Sequence, residues 1–342
     1  MGREFFKEIL QTPSPSGEEF VLQKKWKDYI GQYITEVESD NIGNVYASIN
    51  SESNFKVMLA AHCDEIGFMV RKIDEKGYIY LEKAGGISPV PALGMKVRIG
   101  RDVCGVVGVN AEHHGGEKKE ITFKKIYLDC GFRNKKHAME YVAIGDMAVY
   151  DISPFEMADE KLASKALDNK SGLYIMTEIL KRLAKRKPRI GVVGVSTVNE
   201  ETNMGGAYFA AAKVKPDMAI ALDVTFSGDY PKSEDLEIKL GGGPVLAKGA
   251  PVHKKISEHL KKTAERVGID IQYELTPRNT GTDADMIRKT GKGVPIALVS
   301  LPLRYMHSPY EVCSLKDIED EVELVVEALM DIDEGFNLSP LD

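Results

Sequence analysis

Short runs built almost wholly of apolar side chains, too brief to cross a membrane, restrict this chain to one kind of sheet. Val57-Met58-Leu59-Ala60-Ala61 is the clearest, and residues 190–198, 218–223 and 295–300 have the same texture. A strand that is apolar at every position is buried on both faces, which calls for helices above and below it. Helical patterns do fall between these runs, over residues 169–183, 205–212, 254–267, 282–290 and 315–330. Two more helices are expected at 4–10 and 18–30, with Ser16 and Glu19 at capping-box spacing for the second. Residues 45–50 and 269–275 read as further strands. The pattern predicts an α/β fold, an open mixed sheet with helices on both faces. One stretch departs from it. Between residues 67 and 160 short, glycine-punctuated strands follow one another, alternating as in Met95-Lys96-Val97-Arg98-Ile99, and only 135–141 hints at a helix. This is the signature of a small all-β barrel or sandwich. The chain is therefore expected to divide into a unit made of residues 1–66 and 161–342 and an inserted β domain, 67–160.

Composition narrows the function. With 52 acidic residues against 45 lysines and arginines, the formal net charge is -7. A nucleic-acid binder needs a basic face for phosphates, so no such partner is expected; the basic run at 181–189 reads as the solvated end of a helix. The four cysteines, Cys63, Cys104, Cys130 and Cys313, are scattered with no CxxC pair, which speaks against a disulfide framework or a thiolate zinc site. No window reaches the length of apolar residues that a bilayer demands, and the opening MGREFFKEIL is no signal peptide. A cytoplasmic protein without membrane attachment is the expectation.

In open α/β sheets ligands bind beyond the carboxyl ends of the strands. There the chain places His62-Cys63-Asp64-Glu65 after Val57–Ala61, Ala166-Leu167-Asp168-Asn169 before a helix, and Asn199-Glu200-Glu201 after 190–198. Asp223 ends 218–223, and Arg304-Tyr305-Met306-His307 follows 295–300. Alone, His62 reads as a hydrogen-bonded structural residue, Asp168 and Asn169 as a helix cap, and Glu200-Glu201 as a solvated turn. Together they bring His, Asp, Glu, Asp and His to one edge of one sheet. Imidazole and carboxylate suit zinc, cobalt or manganese. So many acids in one place repel one another unless cations neutralise them, and two divalent ions would do so while leaving one carboxylate to move protons.

The segments AHCDEIG (61–67), ALDNKSG (166–172), NEETNMGGA (199–207), ALDV (221–224), GTDAD (281–285) and RYMHSPYE (304–311) resemble the M42 metallo-aminopeptidases, in the right order and over nearly the whole length. That family includes glutamyl, leucyl and tetrahedral aminopeptidases, and some members carry the older label endoglucanase or cellulase M. The resemblance implies a zinc-peptidase-like fold and two divalent metals, Zn²⁺ or Co²⁺ with Mn²⁺ as a third option. His62, Asp168 and Asp223 would bind one ion. Asp168, Glu201 and His307 would bind the other, with Asp168 bridging. Glu200 would be the general base, and Asp64 would hold the orientation of His62. It further implies a peptide substrate with a free N-terminus, an insertion used for subunit assembly, and self-association that in relatives reaches dodecameric shells. Segment 110–125, with His113 and His114, fits no pattern of the family and reads as a surface loop; the reading NTGTDAD, where many relatives have a second glycine before the threonine, touches no ligand. The competing functions are an endoglucanase, for which a single tryptophan, Trp26 in a helix, offers a poor sugar platform, and a deacylase or carboxypeptidase on the same two-metal site.

Overall fold

A computed structural model describes residues 2–110, 121–231 and 237–341; His113 and His114 lie outside them. Helices α1 (Arg3–Gln11) and α2 (Phe20–Ile30) open the chain, followed by the hairpin β1 (Glu36–Ser39) and β2 (Val45–Ile49), then β3 (Lys56–His62). The insertion follows, with β4 (Gly67–Ile73), β5 (Ile79–Ala84), β6 (Lys96–Ile99), β7 (Val103–Gly108), β8 (Tyr127–Asp129), the short α3 (Lys135–Ala138) and β9 (Met147–Tyr150). After it come β10 (Phe155–Met157), β11 (Lys161–Ser164), α4 (Leu167–Arg186), β12 (Gly191–Thr197), α5 (Glu200–Asn203), α6 (Gly205–Val214) and β13 (Met218–Phe226). The chain closes with β14 (Val245–Gly249), α7 (Lys254–Val267), β15 (Gln272–Thr276), α8 (Ala284–Ile287), β16 (Ile296–Leu303), β17 (Glu311–Ser314) and α9 (Leu315–Asp331).

The main sheet has eight strands in the order β1-β2-β12-β3-β13-β16-β14-β15. Its middle, β12, β3, β13 and β16, is parallel; β2 and β14 run antiparallel to their inner neighbours, so the sheet is mixed. The apolar runs seen in the sequence are these middle strands, and alternation sends their side chains to two cores. Val57, Leu59, Ala61, Ile220 and Leu222 pack under α1, α2, α4, α7 and α9. Met58, Ala60, Ala219 and Ala221 meet α6 and α8 on the other side, where alanines Ala207, Ala210 and Ala211 bring the helix close. Gly194 in β12 is needed for packing: a Cβ there would stand 2.5 Å from Leu180 Cδ1 of α4.

The insertion closes into a six-stranded antiparallel barrel, β4-β5-β8-β7-β6-β9, around Phe68, Leu81, Val97, Val107, Leu128 and Tyr150. Closure leaves no unpaired edge.

Several elements differ from expectation. The capping box does not form: α2 begins at Phe20 with no side-chain cap, because Ser16 donates to Asp64 Oδ2 and Glu19 accepts from Gly17 and Asn199 instead. β1, β14 and β17 escape periodicity; β1 is a largely exposed polar edge strand that lacks an apolar face. The expected helix at 282–290 shrinks to the four residues of α8, since Asp285 bonds back to the Thr280 and Gly281 amides. β13 runs three residues past Asp223, placing that side chain inside the strand.

Candidate metal centre

His62 stands at the last position of β3, on the face of Met58 and Ala60. Its Nδ1 lies 3.2 Å from the Asp64 carbonyl and 3.3 Å from Asp64 Oδ1, which turns Nε2 toward a group of carboxylates. Asp168 Oδ1 is 3.2 Å from Nε2, Glu200 Oε2 3.7 Å and Asp223 Oδ1 3.9 Å. The other oxygen of Asp168, Oδ2, lies 3.2 Å from His307 Nε2, and Glu201 Oε2 is 3.4 Å from the same nitrogen. Among the described residues this makes two groups able to hold a cation, His62–Asp168–Asp223 and Asp168–Glu201–His307, sharing Asp168.

The local backbone explains how these side chains are freed. α4 is kinked in its first turn, where Asp168 and Asn169 have non-helical torsions, and Asn169, not Asp168, caps the regular helix beyond the kink, accepting from the Gly172 amide at 3.0 Å. Asn199 takes a left-handed conformation (φ 59°) that turns the chain from β12 into α5, so Glu200 and Glu201 occupy its first turn. His307 is left-handed too (φ 61°), in the turn after β16.

A ring of hydrogen-bonding residues holds the cluster in place: Asp64, expected to orient His62, does more than that, and Glu311 and Gly86 join it without having been expected. Asp64 is fully buried and accepts from the Glu200 amide at 3.0 Å, the Glu201 amide at 3.1 Å and the Ser16 hydroxyl, so it fixes both glutamates as well as His62. Glu311, at the start of β17, accepts from the Asp168 amide at 3.0 Å and the His307 amide at 2.8 Å. Gly86, on the chain leaving β5 of the barrel, offers its carbonyl to His307 Nδ1 at 3.2 Å. The available signals were the acid four residues after His307 and the paired glycines at 85–86.

Electrostatically the site is an acid cluster in low dielectric. Burial, with repulsion from Asp223, Asp283 and Asp168, pushes Glu200 up to about 9 despite the attraction of His62. Burial and Asp168 push Asp223 up to about 8. Burial would lower His62, yet Glu200, Asp168, Asp64 and Asp223 hold it well above its ordinary value. Glu201 Oε1 is buried with no hydrogen-bond partner among the described residues. An orphaned carboxylate oxygen, several crowded acids and two imidazoles turned inward are the donor set of divalent cations, and the residues fit two of them. The cluster opens into a cleft of about 560 Å³.

Fold and donor set together define a class, the hydrolases of the metallopeptidase type. Comparison with known proteins is specific: a family profile described as M42 glutamyl aminopeptidase matches residues 43–324, and the chain belongs to that family. It is a peptide-bond hydrolase, an aminopeptidase. It is 32% identical over 348 aligned residues to the lysyl aminopeptidase of Pyrococcus furiosus, covering 99% of this chain and 98% of that protein. The TET aminopeptidase of a marine-sediment thaumarchaeon superposes with a TM-score of 0.92 at 28% identity, covering 97% of each chain. The TET1 peptidase of Pyrococcus horikoshii, which can assemble into a tetrahedron or a large octahedral shell, superposes with a TM-score of 0.83 at 26% identity, covering 96% of this chain and 99% of that one. Among the described residues no helix is long and apolar enough to cross a membrane.

Proposed function

We propose that this chain is a two-metal aminopeptidase that releases residues from the free N-terminus of peptides. The observation that carries it is Asp168, whose two oxygens each stand 3.2 Å from a different imidazole in one cleft. In this reading His62, Asp168 and Asp223 hold one ion, and Asp168, Glu201 and His307 hold the other. The ligands suit Zn²⁺ or Co²⁺, with Mn²⁺ also compatible. Such a pair of ions supplies Lewis-acid polarisation of the scissile carbonyl and an acidified water. Glu200 lies against the cluster but in neither donor group. It is placed to accept a proton from the attacking water and return it to the leaving amine. Asp64 keeps His62 in the orientation that this demands.

By analogy with the TET peptidases the chain self-associates, into dimer-based dodecamers, with residues 67–160 serving assembly and 1–66 with 161–342 forming the catalytic unit. The reading places it in the cytoplasm. An endoglucanase is disfavoured because Trp26 is fully buried, donating to Thr177 Oγ1 at 2.8 Å, and no tryptophan lines the cleft.

The test is hydrolysis of free-amine aminoacyl-p-nitroanilides, their N-acetylated forms and carboxymethylcellulose, with and without chelator. Cleavage confined to free-amine substrates, lost on chelation and restored by Zn²⁺ or Co²⁺, is expected. Glu200→Gln should keep both metals by elemental analysis and lose turnover by about two orders of magnitude or more. Near-normal turnover in that variant would remove Glu200 as the base, and cleavage only of acylated or C-terminal substrates would move the assignment to a deacylase or carboxypeptidase.

A further inference from the structure

The cleft contains a fifth carboxylate that the proposed chemistry leaves unused. Besides Asp168, Glu200, Glu201 and Asp223, its lining includes Glu274 of β15, which belongs to neither cation group. Glu274 is half-buried. Thr225 Oγ1 donates to its Oε2 at 2.6 Å and Ser300 Oγ to its Oε1 at 3.1 Å, so two neutral hydroxyls hold the carboxylate in a fixed orientation. Among the described residues no lysine or arginine lines the cleft, and the influences on Glu274 are burial and those two hydroxyls, with no cation among them. A half-buried acid with oriented oxygens and no countercharge is an arrangement that an incoming cation completes.

Position gives the arrangement a purpose. Thr225 follows Asp223 by two residues on β13, so both point to the same face, roughly 7 Å apart along the strand. Asp223 marks the cation cluster, where the reacting carbonyl sits in the proposed function; Thr225 marks Glu274. The separation matches a four-carbon stem ending in an ammonium or a three-carbon stem ending in the longer guanidinium, and Phe226 and Met306 supply apolar wall for such a stem.

The geometry points to Glu274 as the residue that selects the side chain to be removed, making peptides that begin with lysine or arginine the preferred substrates. This rests on the aminopeptidase reading of the site. It does not follow from membership, since the family carries the name glutamyl and the Pyrococcus furiosus relative the name lysyl.

The experiment compares kcat/KM of the metal-loaded enzyme on Lys-, Arg-, Leu- and Glu-p-nitroanilides, all with free amines. Wild type should favour Lys and Arg over Leu by about tenfold or more, with Glu poorest. Glu274→Gln should lower kcat/KM for Lys and Arg about tenfold to a hundredfold, chiefly through KM, while Leu changes less than about threefold. The Leu rate reports an intact fold and metal site. Glu274→Lys should move the preference toward Glu. A wild type that favours Leu or Glu over Lys overturns the assignment of Glu274 and leaves the aminopeptidase standing. An equal loss on all four substrates in Glu274→Gln also overturns it, assigning the residue to structure. No cleavage of any free-amine substrate overturns the aminopeptidase reading and this inference with it.

Discussion

Gly86 belongs to the barrel by sequence and to the candidate metal centre by contact. A Cβ at this position would lie 2.5 Å from His307 Nδ1 and 2.7 Å from Cε1, while its carbonyl already holds the ring at 3.2 Å. Gly86→Ala must therefore push His307 away from Asp168 and Glu201. If the proposed two-metal site holds, the expected result is loss of one of the two metals by elemental analysis and a fall in turnover of about tenfold to a hundredfold, the usual cost of disturbing a group that orients a ligand. Full occupancy at normal turnover would show that the ring tolerates the methyl. At this scale the sequence was legible in part. His62, Asp168, Glu201, Asp223 and His307 stand out because acids and imidazoles after buried strands are costly unless used, and the structure brings them together. Gly86, Glu311 and Ser16 act through a backbone approach or a single hydrogen bond to a residue far along the chain, and no local pattern encodes that.

Among the elements, β12 shows how closely helix and sheet are fitted. Leu180 of α4 fills the place where a side chain at Gly194 would be. Gly194→Val would overpack this contact and should destabilise by about 1–3 kcal/mol, read from the denaturant midpoint at unchanged slope. A neutral result would mean that α4 can shift without loss. The middle strands were readable because burial on both faces leaves an unmistakable apolar run. The edge and short strands were not: β1 is polar, and β17 follows a turn and pairs with β11 through only four residues. The helix expected at 282–290 failed because Thr280 and Gly281 compete for Asp285, a local contest that periodicity does not register.

For the whole molecule, the barrel is both a separate core and a neighbour of the active cleft. Its surface exposes Met139, Tyr141 and Ile144 at 60%, 61% and 70%, an apolar group that solvent disfavours. If the insertion mediates assembly, light scattering should give a mass that is a multiple of 37.8 kDa. Ile144→Glu should then shift the population to smaller species without changing secondary structure. A monomeric wild type would remove the assembly proposal, and an unmoved mass in the variant would exclude this patch as the contact. The candidate donors, finally, are scattered along much of the chain, from His62 to His307, with Glu311 bracing the last of them. A ribosome adding about 5–20 residues each second takes tens of seconds to pass from the first donor to the last. Throughout that interval the emerging polypeptide carries only part of the candidate donor set, so both cation groups can be complete only when nearly the whole chain has been made.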